Sequence, residues 1–287
     1  MRDDNNKSRV VEVFVDVDAH RVTADIIKRH STNRNDIRKV ALDGLNVKWC
    51  KNIIELGCGF GFFTEALKGK VHPDAVVTGA DIIRDYGPLF LKACERAGIK
   101  GDFTSSGANV VKDFKDRSVD LVICSYSLYF FPEIVPDISR VLKSDGLLIA
   151  TVHNRENMNE LASFARYVLA YNEMLKEDEK LPIEIFISGF SSENGHEILS
   201  PWFQDVQVTN YSNTLVFEPG DIYFLMEYFR FKWPFLISRV TDEVEAIFDL
   251  LEVHLQKTFT ESRSNFTISK DDTIFVCSNP LFGKGAQ

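Results

Sequence analysis

The sequence lacks any long apolar run, which excludes a membrane-spanning helix. Its longest apolar stretches, residues 121–131 and 146–152, are far shorter than the roughly 20 residues that cross a bilayer. Long runs of positive charge are also missing, and 42 acidic residues outnumber 33 basic ones, for a net charge of −9. An acidic surface repels phosphate backbones, so we expect neither a nucleic-acid nor a membrane partner.

Clustered cysteines are absent as well. The five cysteines form no CxxC pair and no Cys/His group, so a zinc site or any other metal site has no support. Several of them lie in apolar surroundings, which is typical of reduced, buried thiols and indicates a cytoplasmic protein. They are Cys50, Cys58, Cys94, Cys124 and Cys277.

Apolar residues make up 45% of the 287 positions and charged residues 26%, the balance of a globular chain that forms one enlarged domain. Short apolar segments alternate with helical ones through the first half of the chain. The segments predicted as strands are Asn52–Leu56, 75–80, Val119–Ser125 and 146–152, and those predicted as helices are 62–68, Tyr86–Ala97 and 133–142. Short apolar strands between helices are typical of parallel strands covered on both faces, so we predict a doubly wound α/β sheet.

The flanking regions follow other patterns. Helices at 19–29 and 34–42 are predicted before the sheet, with Asn33 or Asn35 as the cap of the second. After residue 153 we predict an amphipathic helix over 157–176, a long strand over 203–217, helices within 219–262 and a last strand over 273–278.

The segment 53–64 carries glycines at positions 57, 59 and 61, between a strand and a helix. Glycine allows a turn that other residues resist, and it lets a ligand approach the main chain. A dinucleotide-binding loop would have its third glycine where this chain has Phe62, which disfavours NAD. Glu55, two residues before the first glycine, would repel a pyrophosphate and attract an ammonium group.

The residues Glu55-Leu56-Gly57-Cys58-Gly59-Phe60-Gly61 resemble the first motif of class I S-adenosylmethionine-dependent methyltransferases, and the small-molecule branch fits best. The resemblance implies a doubly wound, Rossmann-like seven-stranded sheet with an antiparallel final strand and helical cap insertions. The expected division of the single domain 1–287 is a helical leader (1–50), a cofactor-binding core (51–153), a helical insertion (154–202), a sixth strand (203–218), an aromatic helical cap (219–270) and a last strand with its tail (271–287).

The same resemblance assigns cofactor-binding roles. Asp81, at the end of the second strand, would accept hydrogen bonds from the ribose hydroxyls, and Ile82 would pack on adenine. Counting back from Phe114, the residue expected at the end of the third strand to bind the adenine amino group is Ala108 or Asn109, since Asp102 lies too early unless residues 105–107 are an insertion. The full set of expected S-adenosylmethionine-binding residues is Glu55, Gly57, Cys58, Gly59, Gly61, Asp81, Ile82, Ala108, Asn109, Ser125 and Tyr126.

Candidates for the chemistry lie where strands four and five end, beside the expected cofactor. His153 directly follows the fifth strand and suits a general base, or it could be a hydrogen-bonded histidine without a chemical role. Tyr129 could be a pocket wall or a base. Arg38, in the leader, could meet the carboxylate of the cofactor.

The segment 223–235 is unusually aromatic, and three interpretations stay open. It could be a lid over an apolar or aromatic small molecule, a core that joins helices, or the face of a homodimer. We predict a methyltransferase for a small-molecule acceptor. The alternatives are a methyltransferase for protein or RNA and an inactive cofactor-binding partner.

Overall fold

The structure is a computed structural model that describes residues 13–173, 181–236, 244–262 and 264–281. Its internal contacts divide the chain into two compact units, where the sequence predicts a single domain. The sheet unit comprises Asn35–Asn154, Gly189–Tyr211 and Asp272–Gln287, and the helical unit comprises Met1–Arg34, Arg155–Ser188 and Ser212–Asp271.

The described elements alternate between strands and helices through the first half of the chain. The strands are β1 (Asn52–Leu56), β2 (Val76–Ala80), β3 (Lys100–Thr104), β4 (Val119–Ser125), β5 (Leu142–His153), β6 (Phe203–Tyr211), β7 (Thr214–Phe217), β8 (Phe266–Ser269) and β9 (Asp272–Pro280). The α-helices are α1 (Val17–His30), α2 (Ile37–Ala41), α3 (Tyr86–Ala97), α4 (Val135–Val141), α5 (Asn159–Tyr171), α6 (Pro182–Gly189), α7 (Gly195–Leu199), α8 (Ile222–Leu236) and α9 (Val244–Ser262).

Seven strands form the sheet of the sheet unit, in the order β3-β2-β1-β4-β5-β9-β6. Strands β1 to β5 pair in parallel, whereas β9 runs antiparallel to both of its neighbours, β5 and β6. The predicted doubly wound sheet with an antiparallel final strand is therefore confirmed. Parallel strands end at the same edge, and an antiparallel strand begins there, so the start of β9 lies beside the end of β5.

Both faces of this sheet are covered, which explains the continuous apolar runs of its strands. Ile53 and Leu121 pack into a cluster on one face. Their neighbours Ile54 and Val122 pack into a second cluster on the other face. The alternation follows from the two-residue period of a strand.

The prediction of one strand over 203–217, extended to 218 as the sixth strand, is wrong. Pairing with β9 stops where Tyr211 meets Asp272, and Thr214–Phe217 pairs instead with Phe266–Ser269 in a separate two-stranded sheet. Asn213 lies at the break: its N–H donates to Asp271 Oδ1 (2.8 Å) and its carbonyl accepts from Lys270 N (3.0 Å). These bonds to the turn between β8 and β9 interrupt the ladder of β6.

Smaller differences concern helix ends. The predicted helix over 62–68 is a short 3₁₀ helix, Thr64–Leu67. The leader helix 34–42 shortens to α2, and its cap is neither Asn33 nor Asn35 but Asp36, whose carboxylate accepts from Arg38 N at 3.0 Å. The helix predicted over 157–176 is described as α5, and its predicted continuation beyond residue 173 lies outside the described residues.

The aromatic segment 223–235 lies in α8 and forms the core of the helical unit. Most of its apolar side chains are buried, and their rings meet partners from other elements of that unit. The ring centroids of Trp233 and Phe248 are 5.0 Å apart, and those of Phe229 and Phe164 are 6.0 Å apart. The structure thus favours the core interpretation over the lid. No helix among the described residues is long and apolar enough to cross a membrane.

Candidate functional site

The glycine turn between β1 and the 3₁₀ helix leaves one open side. Gly59 has φ +48°, and a Cβ added to it would meet nothing within 4 Å. Gly61 has φ +82°, but its added Cβ would lie 2.5 Å from the Cβ of Ala93. Gly57 donates to the carbonyl of Ala80 at 2.8 Å, which ties the turn to β2. The turn is therefore packed at Gly61 and accessible at Gly59.

Asp81 is hydrogen-bonded to the accessible part of this turn. It follows β2 directly, and its Oδ2 accepts from Gly59 N at 2.9 Å while its Oδ1 accepts from Ile83 N at 3.0 Å. Burial raises the pKa of Asp81, although the backbone N–H groups of Ile83, Gly59 and Ile82 oppose that rise. The carboxylate and the turn thus form one surface at the carboxyl edge of the sheet.

An apolar surface lies next to this carboxylate. Ile82 directly follows Asp81, and its side chain is 57% exposed. A Cβ added to Gly107 would lie 2.7 Å from Cγ2 of Ile82, so the residues after β3 pack against Ile82. A carboxylate beside an exposed apolar side chain suits a ligand with vicinal hydroxyls and a flat ring, as a nucleoside has.

The residues expected to bind the adenine amino group do not lie at the end of the third strand. That strand, β3, ends at Thr104, and Ala108 and Asn109 lie in a 3₁₀ helix, Gly107–Asp113. Asn109 is exposed and Ala108 half-buried. The placement differs because the count back from Phe114 treats the intervening helical turn as extended chain.

Glu55 is buried beneath the turn. Its carboxylate accepts from Thr64 Oγ1 and from the backbone N–H groups of Phe63 and Thr64. Burial raises its pKa to about 7, although those hydrogen bonds oppose the rise. The role that the structure gives Glu55 is therefore to hold the start of the helix to β1, which the sequence interpretation did not include. Cys58, next to the turn, is also buried, and burial raises the pKa of its thiol.

Arg38 contacts the same turn from α2. Its Nε and Nη2 donate to Asp36, at 2.8 Å and 2.6 Å, and its Nη1 donates to the Phe62 carbonyl oxygen at 2.7 Å. Three N–H groups of Arg38 thus donate hydrogen bonds to other residues of the protein. Arg38 thus contacts the glycine turn through Phe62, and its contact with the carboxylate of the cofactor stays a prediction.

The candidates at the ends of β4 and β5 come together. Tyr126 follows β4 with φ +55°, a left-handed conformation that is rare for an aromatic residue and marks functional sites. Its ring stacks on His153 with 4.7 Å between centroids, and the centroids of Tyr129 and His153 are 6.2 Å apart. Ser125 Oγ lies 3.0 Å from Thr151 Oγ1 at the same edge. Burial raises the pKa of Tyr129 and that of Tyr126, for which Asp272 adds to the rise.

Sequence reasoning missed Asp272. This residue begins β9, and its Oδ1 lies 2.6 Å from His153 Nδ1 while its Oδ2 accepts from Tyr126 Oη at 2.7 Å. Its side chain is 1% exposed. The available signal was its position directly before the predicted last strand, 273–278, which the resemblance implied to be antiparallel. Among the described residues, no group of three or more His, Cys, Asp or Glu side chains is arranged to hold a metal ion.

The strand order and the accessible glycine turn are those expected from the resemblance to class I methyltransferases. Residues 54–150, all within the sheet unit, match the family model described as "Methyltransferase domain". No curated protein sequence matches the chain significantly.

Solved structures are similar in fold at low sequence identity. A protein of Bacillus halodurans C-125, described as a proposed methyltransferase, is 15% identical over 85% of this chain and 99% of its own, with a TM-score of 0.51. A phosphoethanolamine N-methyltransferase of Haemonchus contortus is 15% identical over 90% of this chain and 52% of its own, with a TM-score of 0.44. A cyclopropane synthase of Mycobacterium tuberculosis is 13% identical over 84% of this chain and 83% of its own, with a TM-score of 0.46.

Proposed function

We propose that this protein transfers a methyl group from S-adenosylmethionine to a small-molecule acceptor. The observation that carries the proposal is the bond between Gly59 N and Asp81 Oδ2 at the accessible side of the glycine turn. It joins the two motifs that the family resemblance assigns to the cofactor, and the family-model match spans both.

The residues present suit this cofactor. The open side of Gly59 admits a ligand against the main chain, and the Asp81 carboxylate can accept hydrogen bonds from a ribose diol. Ile82 offers an apolar surface to adenine, and Ala108 and Asn109 follow on the adjoining 3₁₀ helix. When bound, the cofactor supplies an electrophilic methyl group on a sulfonium. Ser125 and Tyr126 line the edge between the cofactor residues and His153, the candidate base.

Alignment of the acceptor supplies much of the rate at such a site, since methyl transfer needs an in-line approach. Tyr129 fits a wall of the acceptor site better than a base, because burial raises its pKa and so disfavours a tyrosinate.

Isothermal titration calorimetry tests the cofactor assignment. The protein is titrated with S-adenosylmethionine, with its demethylated product and with NAD. Micromolar binding of the first two without NAD supports the proposal. Binding of NAD alone would overturn it, and binding of none of them by the folded protein would favour an inactive scaffold.

A further inference from the structure

A carboxylate outside the methyltransferase motifs joins two aromatic side chains at the carboxyl edge of the sheet. Asp272 reaches His153 through one oxygen and Tyr126 through the other, at 2.6 Å and 2.7 Å. Its side chain is 1% exposed, and that of His153 is 15% exposed.

The chemistry of these atoms sets the position of the imidazole proton. An ionised carboxylate only accepts hydrogen bonds, so Nδ1 of His153 must carry the proton in this contact. In the neutral ring, Nε2 then carries the lone pair. The stacked ring of Tyr126 restricts rotation of the imidazole about its side-chain bonds.

We propose that Asp272 is a positioning residue that presents Nε2 of His153 as a general base to a hydroxyl group of the acceptor. This inference rests on the proposed function and names the acceptor chemistry of that same site. A hydroxyl needs a base because its proton must leave as the oxygen attacks, and a protonated alkylamine must likewise lose a proton first, whereas a neutral aniline attacks with its own lone pair.

The step balances with the groups named. The O–H bond of the acceptor breaks, and its proton goes to Nε2 of His153. With S-adenosylmethionine bound, the acceptor oxygen would form a bond to the methyl carbon, and the electron pair of the broken carbon–sulfur bond would return to sulfur. The imidazolium is stabilised by Asp272, and the proton then passes to solvent.

Two further oxygens near His153 favour a polar group on the acceptor. Ser192 N donates to the His153 carbonyl at 3.1 Å, and Asn154 follows His153 in the chain. Ser192 Oγ and Asn154 Oδ1 are buried and have no hydrogen-bond partner within the described part of the chain. Buried polar atoms without partners are costly, and a bound polar molecule can satisfy them.

Nuclear magnetic resonance tests the positioning role without an acceptor. Long-range ¹H–¹⁵N spectra of ¹⁵N-histidine protein report the tautomer of each ring, and His153→Gln identifies the signals of His153. We expect His153 as the Nδ1–H tautomer in the unmodified protein. In Asp272→Asn, an amide N–H can donate to Nδ1, so the Nε2–H tautomer should predominate. An Nε2–H tautomer of His153 in the unmodified protein would overturn the proposal. The same tautomer in the unmodified protein and in Asp272→Asn would also overturn it.

Kinetics test the acceptor chemistry. The protein is assayed with S-adenosylmethionine against phenols and aliphatic alcohols, and against the matched anilines and alkylamines, by formation of the demethylated cofactor. We expect turnover of hydroxyl acceptors, and a loss in kcat of about 10²-fold or more in Asp272→Asn with little change in KM. Turnover of amines alone, turnover of no hydroxyl acceptor, or an Asp272→Asn variant with full kcat would contradict the hydroxyl assignment.

Asp120→Asn is the matched control. Asp120 is a buried carboxylate of the same unit, but it lies at the start of β4 and accepts from Lys51 N and Asn52 N. The Asp120→Asn substitution should lower the stability of the fold without changing the tautomer of His153. Calorimetry separates the two proposals: a protein that does not bind S-adenosylmethionine refutes the proposed function, whereas cofactor binding with an unaltered tautomer in Asp272→Asn refutes only the positioning role.

Discussion

The guanidinium of Arg38 lies over the ring of Phe62, with 4.2 Å between Cζ and the ring centroid, and donates to the carbonyl of the same residue. Arg38, a residue of the leader, thus contacts both the side chain and the main chain of Phe62, which directly follows Gly61. The glycine turn is flexible by composition, so its shape depends on contacts of this kind.

Arg38→Ala should lower the free energy of unfolding by about 1 to 2 kcal/mol, because it removes partly buried charge-assisted hydrogen bonds and a cation–π contact. Affinity for S-adenosylmethionine should also fall, since the turn loses support. Urea unfolding and calorimetry measure the two effects. Arg96→Ala is the control, since its pair with Glu65 is exposed and should contribute little. Equal losses in both variants would contradict a special role for Arg38.

Glu55→Gln should change how stability depends on pH. Burial raises the folded-state pKa of Glu55 to about 7, above its usual value near 4.5, so the folded protein binds more protons than the unfolded chain between these two pH values. The stability of the unmodified protein should therefore fall, relative to Glu55→Gln, as pH rises from 5 to 8. The expected change is about 3 kcal/mol at most.

Urea unfolding at several pH values measures this difference. Glu133→Gln, at an exposed carboxylate, controls for the loss of one negative charge. Parallel stability curves for the unmodified protein and Glu55→Gln would show that the buried carboxylate does not titrate as described.

Alanine at two glycines of the turn should have different effects. Gly61→Ala should lower stability by more than about 2 kcal/mol, because a left-handed conformation and a contact of 2.5 Å with Ala93 Cβ act together. Gly59→Ala should lower stability less but weaken S-adenosylmethionine binding about tenfold or more, because its Cβ enters the accessible space.

Gly44→Ala is the control for the backbone effect alone, since Gly44 has φ +71° and open space around its Cα. Thermal unfolding and calorimetry distinguish these cases. If Gly59→Ala and Gly44→Ala leave cofactor affinity equally unchanged, the open side of Gly59 does not face the cofactor.

Asp81→Asn should weaken S-adenosylmethionine binding by more than about 1 kcal/mol, because the amide cannot accept both ribose hydroxyls as a carboxylate does. The retained amide oxygen can still accept from Gly59 N and so hold the turn, although the amide nitrogen cannot accept from Ile83 N as Oδ1 does. Calorimetry gives the affinity, and Asp85→Asn, four residues further along the chain, is the control. An unchanged affinity would refute the ribose assignment.

The sequence predicted those parts of the fold that local patterns determine. The bounds of Asn52–Leu56, Tyr86–Ala97 and Val119–Ser125 match the structure because strong apolar periodicity and a glycine stop at Gly98 act within a few residues. The division of 203–217 into two strands was not predictable in the same way. It depends on the bonds of Asn213 with Lys270 and Asp271, more than 50 residues away.

The candidate site shows the same limit. Glycine spacing and the position of Asp81 can be recognised from motifs, and His153 from its place after a strand. The partner of His153 could not be found by spacing, since 119 residues separate it from Asp272 and only the sheet order brings them together. Likewise, the burial of Glu55 depends on Thr64, which a motif does not include.

The late position of β9 also has a consequence for synthesis of the chain. The ribosome makes His153 119 residues before Asp272, a delay of about 6 to 24 seconds at typical elongation rates. The strands that carry the glycine turn can pair during that interval, because β1, β2 and β4 are all made early. The glycine turn can therefore form before Asp272 is made, and His153 acquires its carboxylate partner only afterwards.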